Sequence, residues 1–291
     1  MKLVLLRATL GVALCFGVSP LKSVWAQTKN GKSETYKDII EKAYNLSLQR
    51  DRQQALNILS NAVQKETRPQ AIAELKKTAS EVANVFFSDK AQQQFEIGVS
   101  LRKTDLNQSL DKLTEASRIE NDNFSIANEM ARLMVAKGDC KNAQDIVQRQ
   151  LGLVRFDEEL KLSLAQAQVC QKRWVDYQKT AESVGIKKSP QYKFWLPLEI
   201  DKHLAGKSFS KAQEALATLK KLDEKYPEVS YWTWKIDQEQ KKANVTAGQK
   251  YVMACKNISA NQYRQYMIDP MLCRHLSEVE SELKGINGVS E

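Results

Sequence analysis

The sequence predicts an all-α protein: an α-solenoid of antiparallel helix pairs, closed by a helical C-terminal cap. Three observations lead there. The 291 residues hold only 11 glycines and 6 prolines. A chain poor in turn formers and rich in Ala, Leu, Lys, Gln and Glu favours helix over strand. A charged fraction of 27% beside a hydrophobic fraction of 42% is that of a folded protein able to bury a core. Third, the chain is self-similar. The turn Gly138-Asp139 is followed by Ala143 and Val147; thirty-four residues earlier stand Thr104-Asp105, Ser109 and Leu113, and thirty-four later Lys172-Arg173, Tyr177 and Ala181. Met130 and Ala131, ahead of the turn, recur as Leu164 and Ala165, and the next turn, with Ala212 and Leu216 behind it, comes one residue late.

The elements follow in order. Residues 1–26 read as a cleaved secretory signal: Lys2 and Arg7 precede a short apolar run, and Val24 and Ala26 are the small residues of a cleavage site. The run is too short to span a bilayer. A lipoprotein reading of Cys15 is opposed by Leu14 at the position where a small residue would stand. Residues 27–34 form a flexible linker. The array occupies 35–245, opening with helices at about 35–49 and 52–65. That first copy carries Ala43, Leu46, Asp51, Ala55, Leu59 and Ala62 in the repeat's order but out of phase. After Pro69 comes an extra helix, read as an insert. Pairs are expected at about 89–103/106–119, 124–137/140–150, 157–171/174–184 and 191–205/209–224, with Ser189-Pro190 opening the last and Pro197 kinking or restarting it. Another helix opens near 229–236, where Trp232 and Trp234 cannot share a face. The cap, 246–285, reads as a helix, a turn near Ser259 and a last helix with Asp269 as N-cap, Pro270 at its first position and Gly285 just past its end. Residues 286–291 are a disordered tail.

Each unit needs its neighbours because neither helix of a pair can bury its apolar stripe alone. Small residues (Ala43, Ala131, Ala165; Ala55, Ala143, Ala212) let helices approach, and Leu59, Met134, Val147 and Leu216 fill the space between units. The pattern resembles the tetratricopeptide repeat over about residues 36–67 and 90–245, with Pro69 and Pro227 near the places where that family closes a repeat. The copies are degenerate: the large residue early in the first helix is mostly missing. The rival is a non-repetitive helical bundle.

Without Cys15, four cysteines remain, and an even number in an exported chain suggests disulfides. Cys140 opens the second helix of one pair and Cys170 ends the first helix of the next, equally far from the loop near residue 155. Cys255 and Cys273 flank residue 264 in the same way. The expected pairings are Cys140–Cys170 and Cys255–Cys273, each contributing about 3–4 kcal/mol.

Signs of catalysis are few. The two histidines, His203 and His275, lie in no HExxH motif, and GxSxG, GxGxxG and P-loop patterns are missing. No enzyme activity, metal or cofactor is expected. The chain is basic, 44 Lys+Arg against 35 Asp+Glu, with the excess heaviest between Lys172 and Lys221. For an exported chain that argues for an acidic protein surface or an anionic polymer rather than nucleic acid. The resemblance implies a concave face lined by first helices, with Tyr44, Asn128, Arg132 and Gln166 as candidate partner-binding residues for a peptide or partner helix. The family's Lys/Asn/Arg clamp for a carboxylate tail is not reproduced. The expected role is a non-enzymatic periplasmic or secreted scaffold for an envelope protein, with no stable membrane span. The alternative is an accessory protein of cell-wall metabolism that binds peptidoglycan or another anionic envelope polymer.

Overall fold

The computed structural model of the chain describes residues 34–242 and 244–288. The expected signal peptide, the linker up to residue 33 and residues 289–291 of the tail lie outside the described residues. Every regular element among the described residues is helical. The chain runs through α1 (Tyr36–Leu48), α2 (Arg52–Lys65) and α3 (Pro69–Asn84), then α4 (Asp89–Leu101) and α5 (Leu106–Ile119). Four further pairs follow: α6 (Phe124–Ala136) with α7 (Cys140–Leu153), α8 (Glu158–Cys170) with α9 (Trp174–Val184), α10 (Tyr192–Ala205) with α11 (Phe209–Leu222), and α12 (Pro227–Glu239) with α13 (Val245–Lys256). A short α14 (Ala260–Tyr266) and α15 (Leu276–Gly288) end the chain. None of the described helices is long and apolar enough to cross a membrane.

The starts of these helices are written locally. Thr35 and Asp38 form a reciprocal capping box at α1, while Ser88, Asp105, Asn123, Asp157 and Asn244 each accept a first-turn N–H. Pro69 and Pro227 open α3 and α12, where a missing N–H costs nothing.

The elbows between paired helices reveal the repeat more sharply than composition does. One residue at each of five elbows takes positive φ: Arg50 (63°), Gly138 (83°), Lys172 (57°), Lys207 (53°) and Lys241 (59°). Its N–H donates to the carbonyl three residues back, and the next N–H donates to the carbonyl five back: Gly138 to Val135 and Asp139 to Met134, Lys172 to Val169 and Arg173 to Gln168, Lys207 to Leu204 and Ser208 to His203. This is the Schellman closure, which satisfies the last carbonyls of the first helix. Only Gly138 adopts it without steric cost. The elbow between α4 and α5 differs: no positive φ occurs there, and Thr104 and Asp105 both donate to Leu101 O.

Packing follows the same division. The first helices form an inner row in which α6 packs on α8, α8 on α10 and α10 on α12. The small residues expected at the close approaches, Ala43, Ala55, Ala131, Ala143, Ala165 and Ala212, are all buried. However, α3 is not an insert. It packs on α6 while α2 packs on α7, and α5 also packs on α6. Helix α6 is therefore enclosed, with Ile126 through Leu133 all buried. The α2–α3 side is bolted by Arg52, whose side chain is fully buried. Its guanidinium donates to Glu120 (2.8 Å), to Asp122, and to the Val82 (3.2 Å) and Val85 carbonyls, and stacks over Phe87 (4.3 Å).

Four expected boundaries shift. Helix α10 starts at Tyr192, not at Pro190, and runs through Pro197 without a restart; Ser189 instead accepts from Gln191 N–H and donates to Glu158. Asp269 and Pro270 do not begin the last helix, because residues 267–275 form successive turns and α15 begins at Leu276. Gly285 lies inside α15, and residues 286–288 continue that helix instead of a disordered tail. Cys140 and Cys170 stand with Cα atoms 6.0 Å apart, and Cys255 and Cys273 5.5 Å apart, both within disulfide span and in keeping with an oxidising location.

Candidate functional site

A cleft of about 970 Å³ opens along the inner row from the end of α6 across α8, α10 and α12. Val135, Val169 and Leu204 supply apolar lining from three successive first helices, and Trp174 and Trp232 supply aromatic faces. The fourth wall is the chain's own turn segment 269–275. This segment is held from many sides. Arg102 donates to Asp269 O (3.2 Å), Gln166 to Ile268 O (3.0 Å) and Lys103 to Ile258 O (3.2 Å). The Asp269 carboxylate accepts from Tyr226 OH and from Met271 N–H (2.8 Å), and Glu228 accepts from Cys273 N–H (2.8 Å). The His275 ring stacks on Tyr231 with centroids 4.0 Å apart. The expected cap thus also folds back over the inner face: Ile258, Tyr266 and Leu272 pack in one core with Trp195, Ile200 and Tyr226.

Burial and charge set the protonation of the cleft. Burial, reinforced by nearby Asp269, raises the Glu228 carboxyl well above its usual range, and burial raises Asp269 against the pull of the Tyr226 hydroxyl. Burial lowers His275 despite Glu278 3.0 Å away. Asp201 is raised to about 6 by burial, opposed by Lys172 and Lys235. Glu228, Cys255 and Cys273 place donor atoms within 4.8 Å of one another. A carboxyl whose burial favours the protonated form and two sulfurs placed within disulfide span of each other are poor ligands, so this trio fits a tethered turn better than a metal.

The four sequence-chosen residues do not share one open face. Gln166 lines the cleft, 4% exposed, with Oε1 lacking a hydrogen-bond partner among the described residues. Asn128, also 4% exposed, accepts from Ser163 (2.9 Å), and Arg132 pairs with Glu159 (2.6 Å) and Glu129 (3.6 Å). Both lie on α6, which packs against α3, α5, α7 and α8, and their side-chain partners come from α6 and α8. Tyr44 is 41% exposed and donates to Glu81 (2.5 Å), away from the cleft.

Sequence reasoning missed Asp201, Lys235, Trp174 and Trp232. The signal was available: Arg132 and Gln166 are one repeat apart, and two further steps of 35 and 34 residues land on Asp201 and Lys235. These four residues form one polar ladder, with one rung on each first helix.

No family model matches the chain, and no curated protein matches it. Among solved structures, it is similar to the crystal structure of a tetratricopeptide repeat protein from Parabacteroides merdae ATCC 43184. The match has 14% identity and a TM-score of 0.40, over 86% of this chain and 91% of that one. At that level the similarity assigns neither family nor function, and the helix-pair architecture rests on the elbows and packing described above.

Proposed function

We propose that this chain is a non-enzymatic, exported scaffold that holds a segment of another envelope protein in the cleft of its inner row. The observation that carries the reading is the pairing of a long, mixed apolar and aromatic cleft with unfilled hydrogen-bonding capacity. Gln166 and Trp232 both line the cleft, and Gln166 Oε1 and Trp232 Nε1 are shielded from solvent without a partner among the described residues. Buried polar atoms are normally satisfied, and an exception in a cleft marks a place for a ligand group. Export to the periplasm, with signal cleavage after Ala26, is part of the same proposal, as is oxidation of both cysteine pairs. Two covalent staples suit a chain that works outside the reducing cytosol.

The test is affinity purification from envelope extract with three proteins: the wild-type chain, Ala205→Trp to fill the cleft, and Lys179→Trp on the exposed surface of α9. A discrete protein retained by wild type and Lys179→Trp but lost with Ala205→Trp is expected. Sedimentation with purified cell wall runs alongside. Wall binding that survives protein removal, falls with salt and ignores Ala205→Trp would instead favour the polymer-binding role suggested by the basic late repeats.

A further inference from the structure

The rungs of the inner ladder differ in whether their hydrogen-bonding capacity is used. Arg132 is neutralised by Glu159 and Glu129. Lys235 lies 3.4 Å from Glu278. Between them, Gln166 spends its amide N–H on Ile268 O and leaves Oε1 open. Asp201, half-buried in the cleft wall, makes no hydrogen bond or ion pair with any described residue, although Lys172 and Lys235 are near enough to influence its charge. Of the rungs that line the cleft, Gln166 and Asp201 keep spare acceptors that require donors; the spare Nε–H of Arg132 lies outside it.

A second feature says what kind of molecule brings those donors. The neighbouring stretch of the same inner face is already occupied by a peptide. Main-chain carbonyls of Ile258, Ile268 and Asp269 are gripped by side chains of Lys103, Gln166 and Arg102. Gln166 thus holds main chain with one half of its amide and keeps the other half without a partner in the wall of the cleft. Trp232 Nε1, a donor without a partner, complements a carbonyl on the same ligand.

We infer that the cleft binds an extended protein segment carrying a single Lys or Arg side chain, which is seated against Asp201 while its main-chain N–H meets Gln166 Oε1 and a carbonyl meets Trp232. Trp174 and Trp232 offer their faces to the aliphatic stem of that side chain. Lys137, Lys172 and Lys235, all lining the cleft, disfavour a polybasic segment, so one cation is selected and not a run. This inference rests on the scaffold reading and adds the chemistry of the partner.

The experiment selects random nonapeptides displayed on phage against the purified, oxidised chain, against Asp201→Asn and against the charge reversal Asp201→Lys. Enriched peptides are then made with blocked termini for affinity measurement. The wild-type chain is expected to enrich peptides with one Lys or Arg, and their affinity falls about tenfold or more in Asp201→Asn, as for loss of a charge-assisted contact. Asp201→Lys shifts enrichment to Glu or Asp. Because Asp201 makes no hydrogen bond or ion pair with any described residue and burial opposes its ionisation, Asp201→Asn is expected to melt no lower than wild type. Enrichment without a basic preference, or one insensitive to residue 201, overturns the inference and leaves the scaffold reading standing. No enrichment at all, together with Asp201-dependent binding of enzymatically released wall glycan, overturns both.

Discussion

The two ends of the inner row treat polar groups in opposite ways. Around α6, charges are buried and paired: Arg52 with Glu120 and Asp122, Arg102 with Glu129 (2.7 Å), Arg132 with Glu159, with only the Nε–H groups of Arg102 and Arg132 left without a partner among the described residues. Along α8, α10 and α12, equivalent positions face an open cleft and leave Gln166 and Asp201 with acceptors to spare. The α4–α5 hairpin lacks the positive-φ closure of the other five, and at this end both α5 and α3 pack on α6. One end of the array is thereby closed into a core, and the other keeps a binding surface.

The sharpest way to break this comparison is to disturb the closed end. Arg52→Met leaves Glu120 and Asp122 beside an uncharged side chain, and removing one partner of a fully buried ion pair typically costs about 3–5 kcal/mol. Urea denaturation is expected to show that loss, against no loss for Asp201→Asn. Equal costs at both positions would contradict the division into used and unused charges.

The cysteines come next. Replacing Cys140 and Cys170 with Ser is expected to cost about 3–4 kcal/mol, as for a closed loop of their separation. Peptide mapping without reductant checks the pairing, and a 170–255 linkage would contradict it.

Glycine substitutions separate close packing from turn geometry. A Cβ at Gly98 would stand 2.9 Å from Leu113 Cγ and 3.1 Å from Ser109 O, so Gly98→Ala is expected to cost about 1–3 kcal/mol. A Cβ at Gly138 would meet nothing within 4 Å, so Gly138→Ala is expected to lose only about 1 kcal/mol, from its positive φ alone. Thermal melts of the two variants distinguish these causes.

A pH dependence comes from the open end. The folded pKa of Asp201, about 6, is above an unfolded value of about 4, so the folded state holds a proton the unfolded state has released. Its contribution to stability is present below about pH 4 and is lost as pH rises toward about 6. Lys172 and Lys235 oppose the shift without abolishing it. Asp201→Asn removes this part of the pH profile; an unchanged profile would show that burial does not govern the carboxyl.

Much of this arrangement could be read from residue order. Helix pairs, the buried alanines and the level placement of Cys140 with Cys170 follow from a period near 34 and from helix geometry. The positive φ at four of the elbows was hidden because Arg50, Lys172, Lys207 and Lys241 stand where glycine would announce it. The enclosure of Asn128 and Arg132 was also hidden, since it depends on the particular partners Ser163 and Glu159 on α8, which periodicity does not name. Asp201 was legible only by stepping the ladder two repeats further. The fold-back of residues 258–275 depends on Arg102, Lys103 and Gln166, which are distant in sequence.

The central claim, that the open end is where this chain meets its partner, is tested most directly by site-specific photo-crosslinking in living cells. A photoreactive residue at Lys172 or at Glu239, both in the cleft lining, is compared with one at Lys179 on α9. The account predicts a discrete protein adduct from the two cleft positions, lost on adding Ala205→Trp, and none of that mass from position 179. The same adduct from all three positions, or one from position 179 alone, would contradict it.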